Sequence, residues 1–378
     1  MRFDESFYQR RPRLVIFAVS SIVLVLVLIL AEFLTRLILP EWAPSHSGRT
    51  VFYHYDPTLG WAMRPGQKDV HEHQDFAVTV EVNSHGLRDE EIKPKGDRKR
   101  LLVLGDSFGW GYGVELEDRF DSLLDTRLSD WQIVNASVSG YGTDQQYLFL
   151  QDQGLALEPD AILLLFYEND FGNNSRGEQY WYFKPHFNLI DGQLSLDKTR
   201  VPSSSLNQRF TRLIRGHTYL YGRLHEWLSL RIDIAKVQIA LVRNMDTESQ
   251  KDVVRYPELL ESVNEVALES SESFEAYKTS VRYPITYALL QAINEVAIES
   301  GIPFLLTSVP FKKAEDRAFL ESFAAIENIP YLPLDEPFAA TEIRTEFEHD
   351  LHWNEAGHAL ATEEIERFLY QQKLVSAD

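Results

Sequence analysis

The apolar residues of this chain begin with one long run near its N-terminus. No charged residue occurs from Leu14 to Ala31, and after Glu32 the stretch stays mostly apolar, Arg36 excepted, to Leu39. A run of this length is sufficient to cross a bilayer as a helix. Four arginines precede it: Arg2, Arg10, Arg11 and Arg13. Because positive charge accumulates on the cytoplasmic side of a span, we expect a cytoplasmic N-terminus and an extracytoplasmic remainder.

A cleavable signal peptide is the alternative interpretation of this run. It is longer than the apolar core of a typical signal peptide, and no clean cleavage site of small residues follows it. We therefore predict a cytoplasmic tail at 1–13 and a retained single-pass membrane anchor at 14–39. The rest would lie in the periplasm if the source is a Gram-negative bacterium.

Residues 40–98 show the alternation typical of half-buried strands. The run from Phe76 to Val82 alternates, and turn pairs such as Asp56-Pro57 and Pro65-Gly66 punctuate the segment. This pattern predicts hairpins, so we expect a linker followed by a small β extension.

From residue 99 to 378, short apolar runs alternate with helical periodicity. The predicted strands are Leu101–Leu104, Trp131–Asn135, Ala161–Tyr167, Pro303–Ser308 and Pro330–Leu332. The predicted helices are Glu115–Leu128, Thr143–Gln153, Ile285–Ser300, Ala314–Ala325 and Glu355–Tyr370. The alternation predicts an α/β fold: a three-layer α/β/α sandwich with a mostly parallel, flavodoxin-like sheet and functional residues at the strands' carboxyl ends.

The alternation is interrupted at about 171–283, which we interpret as a largely helical insertion. Its aromatic cluster, Tyr180–Phe183, is expected to pack the insertion onto the core, with stacking on a sugar or acyl substrate as the alternative. Its arginines, including Arg209, Arg212, Arg215, Arg223 and Arg231, would face either solvent or lipid headgroups.

Composition removes several classes of function. The net charge of -20 argues against a nucleic-acid partner, because phosphate binding requires a basic face. The chain has no cysteine, which excludes thiolate catalysis, disulfides and zinc sites built on sulfur.

Residues suited to acyl transfer follow the predicted strands. Ser107 ends a Gly-Asp-Ser turn after the first strand, where a nucleophile would be exposed. Gly140 lies in the turn after the second strand, and Asn169 follows the third. Asp350 and His352 come together just before the last helix, where a carboxylate can orient an imidazole base.

These four blocks, in this order, resemble the SGNH or GDSL-type hydrolase superfamily. The resemblance implies that Ser107 is the nucleophile and His352 the general base. It also implies an oxyanion hole formed by the Ser107 backbone N–H, Gly140 and Asn169. The resemblance further implies an ester substrate, either an acylated carbohydrate or a lipid, and a reaction that requires no cofactor.

Two positions depart from the family pattern. Tyr167 replaces the usual first glycine of the third block. The usual acid position, three residues before the histidine, holds His349, so we assign the acid to Asp350, with Glu348 as the alternative. The Asp-x-His-Trp spacing resembles the alginate O-acetyltransferase branch of the superfamily. His349 is expected to be a loop residue, and His358 a capping or packing residue.

Other interpretations of the motifs remain open. The segment from Gly105 to Gly109 also matches the Gly-x-Ser-x-Gly elbow of α/β-hydrolases. A metal site would draw on His349, Asp350, His352 and His358, or on His71 and His73, but neither set has diagnostic ligand spacing, so we predict no metal. The same catalytic residues serve hydrolysis and O-acyl transfer to a cell-surface glycan. A membrane-tethered binding module without turnover is the non-enzymatic alternative.

Overall fold

The structure is a computed structural model that describes residues 12–38, 49–180, 182–218 and 282–375. The chain divides into two compact units, residues 1–45 with 210–270 and residues 46–209 with 271–378. The first unit contains helix α1, Pro12–Ile38. Within the described residues, α1 is the one helix long and apolar enough to cross a membrane. Its 27 residues correspond to about 40 Å, which exceeds the ~30 Å hydrocarbon core of a bilayer.

The second unit starts with two antiparallel hairpins, as the alternation predicted. A short helix, α2 (Arg49–Phe52), leads into β1 (Tyr53–Asp56), β2 (Gly60–Met63), β3 (Lys68–His73) and β4 (Phe76–Glu81). Strand β1 pairs with β2, and β3 pairs with β4 through a two-residue turn. On β4, Val78 and Val80 are buried while Ala77 and Thr79 are exposed, so successive side chains point alternately to the core and to solvent.

The parallel sheet begins after the hairpins. Its first half comprises β5 (Lys99–Gly105), α3 (Ser107–Trp110), α4 (Phe120–Arg127), β6 (Trp131–Asn135), α5 (Thr143–Phe149), β7 (Ala161–Phe166) and α6 (Asn169–Asn173). The described part of the insertion comprises β8 (Glu178–Gln179), β9 (Tyr182–Phe183), β10 (Phe187–Ile190), β11 (Gln193–Leu196) and α7 (Leu206–His217).

Helical residues 282–300, named α8, return the chain to the core. The second half then comprises β12 (Phe304–Ser308), α9 (Ala314–Ile326), β13 (Tyr331–Pro333), α10 (Asp335–Ala340) and α11 (Glu355–Gln371).

The five core strands lie in the order β13-β12-β7-β5-β6, and every neighbouring pair is parallel. When the five strands are renumbered 1 to 5 along the chain, the order from β6 to β13 is 2-1-3-4-5. This is the flavodoxin-like order, which confirms the predicted fold class. In such sheets the strand order reverses between the first and third strands, here β5 and β7. Ligands bind at the carboxyl ends of the strands at that point.

Both faces of the sheet are covered by apolar packing. Leu102 and Leu104 of β5 face one cluster, while Leu101 and Val103 face the other, which includes α4 and α11. All four side chains are at most 1% exposed. Burying a leucine contributes about 1.5–3 kcal/mol, so these alternating contacts fix the register of β5.

The structure differs from the predicted elements in three places. The predicted helix at 115–128 is divided, because Arg119 is extended between a 3-10 turn and α4 and its buried guanidinium pairs with Asp121. The predicted helix from Thr143 widens into a π-turn after Phe149. The insertion opens with two hairpins rather than helices. One of them turns at Asp191-Gly192, a pair that favours a tight hairpin turn and that would have indicated these strands.

Several predictions fall outside the described residues. They include most of the N-terminal tail, the insertion from 219 to 281 with Arg223 and Arg231, and the side chains of Arg212, Arg215 and Trp181.

Candidate active site

Ser107 lies at the turn between the central strand β5 and the short helix α3. Asp106 caps this helix by accepting the Phe108 backbone N–H at 2.9 Å. The Ser107 residue is 6% exposed. A Cβ on Gly109 would lie 2.2 Å from the Ser137 side-chain oxygen, so the turn needs glycine to pack this tightly. Ser107, the predicted nucleophile, therefore lies on a tightly packed turn at the sheet's carboxyl edge.

The chain beyond the turn is held by a buried arginine. Arg88 is 1% exposed, and its guanidinium donates hydrogen bonds to the carbonyls of Trp110, Gly111 and Val114. The guanidinium also lies 4.7 Å from the Trp110 ring centre. Buried carbonyl groups need donors, so Arg88 stabilises the course of the loop that follows the nucleophile.

His352 and Asp350 reach Ser107 from the loop at residues 345–354, which we name the catalytic loop. His352 Nε2 lies 2.7 Å from Ser107 Oγ. Asp350 Oδ1 makes a short hydrogen bond with His352 Nδ1 and accepts the His352 backbone N–H at 2.9 Å. The three side chains thus form a serine–histidine–aspartate hydrogen-bond chain, the arrangement that activates a serine nucleophile.

Neighbouring aromatic rings hold the imidazole of His352 in place, and its hydrogen bonds favour the charged form of Asp350. The Tyr112 ring stacks on the imidazole at 4.3 Å between centres, and Phe108 lies 4.8 Å away. Burial raises the pKa of Asp350, but its hydrogen bonds with His352 lower that pKa more, so it lies below its ordinary value. Asp350 is therefore a carboxylate at neutral pH, the state that can stabilise an imidazolium.

Asn169 is connected to the nucleophile turn through Asp106. It opens α6 directly after β7, and its Nδ2 donates to Asp106 Oδ2 at 2.9 Å. An amide nitrogen carries two hydrogens, so one remains for a substrate oxygen. Burial raises the pKa of Asp106, while the bonds from Phe108 and Asn169 favour its carboxylate.

Gly140 lies in the turn after β6, at the same carboxyl edge of the sheet. Its φ of +85° is in the left-handed region, which glycine adopts without strain. A Cβ there would lie 2.6 Å from a ring carbon of Tyr180, so that aromatic ring covers Gly140 directly. The close contact places an aromatic residue of the insertion beside a predicted oxyanion donor.

The remaining predicted residues have other surroundings. Glu348 is exposed, whereas Asp350 is the carboxylate bonded to His352. His349 pairs with Asp75 through Nδ1 at 2.7 Å. His358 is buried and accepts the Phe120 N–H at 3.3 Å; burial and the charge of Arg119 lower its pKa to about 3.

The departure at Tyr167 is accommodated by packing, since its ring lies 4.6 Å from that of Phe108.

The histidines of the β extension lie among aromatic rings. His71 is buried, with its ring centre 4.7 Å from that of Tyr112 and 5.2 Å from that of Phe76. His73 also contacts Phe76, at 5.2 Å. Within the described ranges, no group of three or more histidine and acidic side chains is arranged to hold a metal ion.

Three contributions to this site have no local signal in the sequence. They are the stacking of Tyr112 on His352, the support of the turn by Arg88, and the contact of Asp75 with the catalytic loop. Each partner is distant along the chain, so only the folded structure brings them together.

The parallel sheet has the flavodoxin-like strand order, and its carboxyl edge carries Ser107, His352 and Asp350 in one hydrogen-bond chain. Neither a protein-family model nor a curated protein matches the sequence. Among solved structures, the chain aligns with a GDSL-like lipase from Bacteroides thetaiotaomicron at 11% identity, covering 74% of this chain and 92% of that one, with a TM-score of 0.38.

Two further similar structures carry related descriptions. The psychrotrophic esterase EstA from Pseudoalteromonas sp. aligns at 11% identity over 72% of this chain and 98% of that one, with a TM-score of 0.36. A member of the lipolytic G-D-S-L family from Veillonella parvula aligns at 11% identity over 71% and 97%, with a TM-score of 0.35. At such low scores the likenesses carry no argument about activity, so the functional conclusion depends on the site.

Proposed function

We propose that this protein is a membrane-anchored, extracytoplasmic serine esterase that cleaves an acyl ester of a carbohydrate or lipid. The observation that carries the proposal is the hydrogen-bond chain from Ser107 Oγ through His352 to Asp350, with 2.7 Å between serine and imidazole. A serine in this geometry can lose its proton as it attacks.

In the first step, His352 Nε2 removes the Ser107 proton as the serine oxygen attacks the ester carbonyl. The carbonyl oxygen becomes an oxyanion, which would accept from the backbone N–H groups of Ser107 and Gly140 and from Asn169 Nδ2. Asp350 stabilises the imidazolium that forms. His352 then gives its proton to the departing alcohol, which leaves an acyl group on Ser107.

In the second step, His352 activates a water molecule that attacks the acyl-serine. The acid is released, and the proton returns to Ser107. The carboxyl edge of the sheet is where such a site is expected, because Ser107 follows β5 and Asn169 follows β7, on the two sides of the strand-order reversal.

The proposed location follows from α1 and the arginines before it. Helix α1 is long and apolar enough for a bilayer, and the arginine-rich tail favours a cytoplasmic N-terminus. The esterase unit would then act outside the cytoplasm, on ester groups at the cell envelope.

The first test is hydrolysis of p-nitrophenyl acetate by the full chain in detergent. Wild type is compared with Ser107→Ala, His352→Ala and the control Glu348→Gln, which changes an exposed carboxylate beside the site. We expect turnover to fall to background in the first two variants and to stay within about twofold of wild type in the control. Absence of wild-type turnover, together with absence of Ser107 labelling by a fluorophosphonate, would refute the proposal and favour a binding module.

O-acyl transfer to a glycan is the second candidate. It is favoured by one observation: the acid bonded to His352 is Asp350, two residues before it, which is the Asp-x-His-Trp arrangement. The same assay with added oligosaccharide distinguishes the two. Faster release of p-nitrophenol with formation of acetylated sugar indicates a transferase, whereas an unchanged rate with acetate as sole product indicates an esterase.

A further inference from the structure

The catalytic loop is a short hairpin with an exposed tip. Glu346 pairs with Trp353, and the Phe347 N–H donates to the His352 carbonyl at 3.1 Å. The tip is residues 348–351, of which 350 carries the acid, and the other three are exposed. Burial therefore contributes little to fixing the tip, although the position of Asp350 depends on it.

A residue of the β extension contacts this tip. Asp75 occupies the two-residue turn between β3 and β4. Its Oδ2 accepts the His349 backbone N–H at 2.9 Å, and its Oδ1 lies 2.7 Å from His349 Nδ1. The Asp75 side chain is 7% exposed and that of His349 is 53% exposed, so the contact lies at the edge of the site.

The charge of Asp75 suits this contact. Burial raises the pKa of Asp75, but its hydrogen bonds with His349 lower it more, and the pKa lies below its ordinary value. His73 Nδ1 lies a further 3.6 Å from Asp75 Oδ2. Asp75 is thus an ionised acceptor between two imidazoles, and hydrogen bonds to a charged acceptor are the stronger kind.

Aromatic packing also connects the same turn to Phe347 of the catalytic loop and to Tyr112. Phe76, next to Asp75, lies 5.1 Å from Phe347 and 5.5 Å from Tyr112, between ring centres. Tyr112 in turn stacks on His352. The β3–β4 hairpin therefore contacts the base of the loop, its tip and the ring that supports the imidazole.

We propose that Asp75 is a positioning residue for the proposed esterase reaction. By holding the backbone and ring of His349, it fixes the tip of the catalytic loop, so that Asp350 and His352 keep their geometry toward Ser107. Asp75 acts through His349 rather than on the substrate. The inference rests on the proposed function, and it assigns to the β extension a part in the reaction.

The test compares Asp75→Asn and Asp75→Ala with wild type, as full chains in detergent. Asp69→Asn is the matched control, because this carboxylate of the same hairpin is exposed and, within the described residues, accepts from the N–H of its neighbour Val70. With p-nitrophenyl acetate and butyrate, we expect kcat to fall about tenfold in Asp75→Asn, which keeps one acceptor oxygen, and about a hundredfold in Asp75→Ala. We expect KM, the acetate-to-butyrate ratio and Tm to stay near wild type, and Asp69→Asn to behave as wild type.

In the kinetic test, the proposal would be overturned by an unchanged kcat in Asp75→Ala, or by a loss of kcat that only follows a loss of folded protein. A changed ester ratio would instead place Asp75 in substrate recognition, which also contradicts it.

A second measurement separates this inference from the proposed function. In a Ser107→Ala background, which needs no substrate, hydrogen exchange of the peptides covering 345–354 should be about tenfold faster with Asp75→Ala than with Asp75 intact. If wild type hydrolyses no ester, the proposed function fails, and exchange alone decides whether Asp75 holds the loop. Unchanged exchange refutes the positioning role.

Discussion

Asp350 is bound to His352 twice, through its ring Nδ1 and its backbone N–H. The double contact explains how an acid only two residues from the base can orient it, since the carboxylate folds back over its own loop. Glu348 lies four residues before His352 but is exposed. The choice between the two carboxylates therefore depends on the turn of the loop, which spacing alone did not define.

The first prediction concerns this acid. We expect Asp350→Asn to lower kcat by about 10³- to 10⁴-fold, because an amide favours the wrong imidazole tautomer and stabilises the imidazolium less. Glu348→Gln should change kcat by less than about twofold. Esterase kinetics on both variants, with circular dichroism to check folding, tests the assignment. Equal losses in both variants would contradict it.

The second prediction concerns Gly140. An alanine there would have a strained positive φ, and its methyl group would meet the Tyr180 ring. Strain of this kind costs about 1–3 kcal/mol, and its relief would move the backbone N–H that we assign to the oxyanion. We expect Gly140→Ala to lose about a hundredfold or more in kcat. The double variant Gly140→Ala with Tyr180→Ala should recover little activity, because φ stays strained; full recovery would show that the ring contact alone matters.

The third prediction concerns His358, whose pKa falls to about 3 in the folded chain. In the unfolded chain a histidine protonates near pH 6.5, so acid favours the unfolded state. The stability that neutral His358 contributes is present above about pH 6.5 and is lost as pH falls toward about 3. One such group removes about 2 kcal/mol between pH 7 and pH 5. Urea unfolding at both pH values should show a smaller difference for His358→Gln, and an equal difference would exclude His358 as the cause.

At the scale of elements, the strands were predicted well and the connections less well. Strand β6 matches its predicted run, and β7 ends one residue before its run does, because a strand buried on both faces has few polar positions. The segment 115–128 was predicted as one continuous helix, because its periodicity does not show that Arg119 leaves the helix to pair with Asp121.

In the candidate site, too, some residues could be predicted from the sequence and others could not. The proximity of Ser107, His352 and Asp350 could be predicted, because each follows a recognisable strand or precedes the last helix. The contact of Asp75 could not, since its partner His349 is 274 residues away along the chain. No residue type near Asp75 indicates that contact. The role of Arg88 was equally hard to predict, because its partners are backbone carbonyls that come together only in the folded loop.

The fourth prediction concerns the loop after α3. Replacing Arg88 by methionine keeps most of the apolar stem but removes the donors for three buried carbonyls. Breaking a buried charged network of this kind costs about 3–5 kcal/mol. We therefore expect a large fall in the unfolding free energy of Arg88→Met, measured with urea. Arg127→Met loses only a surface ion pair with Glu366 and should stay within about 1 kcal/mol of wild type. A midpoint for Arg88→Met close to that of wild type would show that water replaces the guanidinium.

At the scale of the whole molecule, the absence of cysteine makes sidedness directly measurable. The fifth prediction uses two single-cysteine variants: Ser129→Cys, in the exposed turn after α4, and Ser6→Cys, in the tail before α1. A membrane-impermeant maleimide should label Ser129→Cys in intact cells or spheroplasts, and Ser6→Cys only after lysis. The reverse labelling pattern would show that the N-terminus is outside the cytoplasm and the second unit inside. A mature protein that lacks residue 6 would instead indicate a cleaved signal peptide.

The hydrogen bond between Ser107 and His352 joins residues that are 245 positions apart. At about 5–20 residues per second, a ribosome finishes the nucleophile turn about 10 to 50 s before it adds the base. Throughout that interval the emerging chain carries a serine that nothing activates. The proposed esterase activity therefore cannot begin during synthesis of those 245 residues, and a chain that ends before His352 carries Ser107 without its imidazole partner.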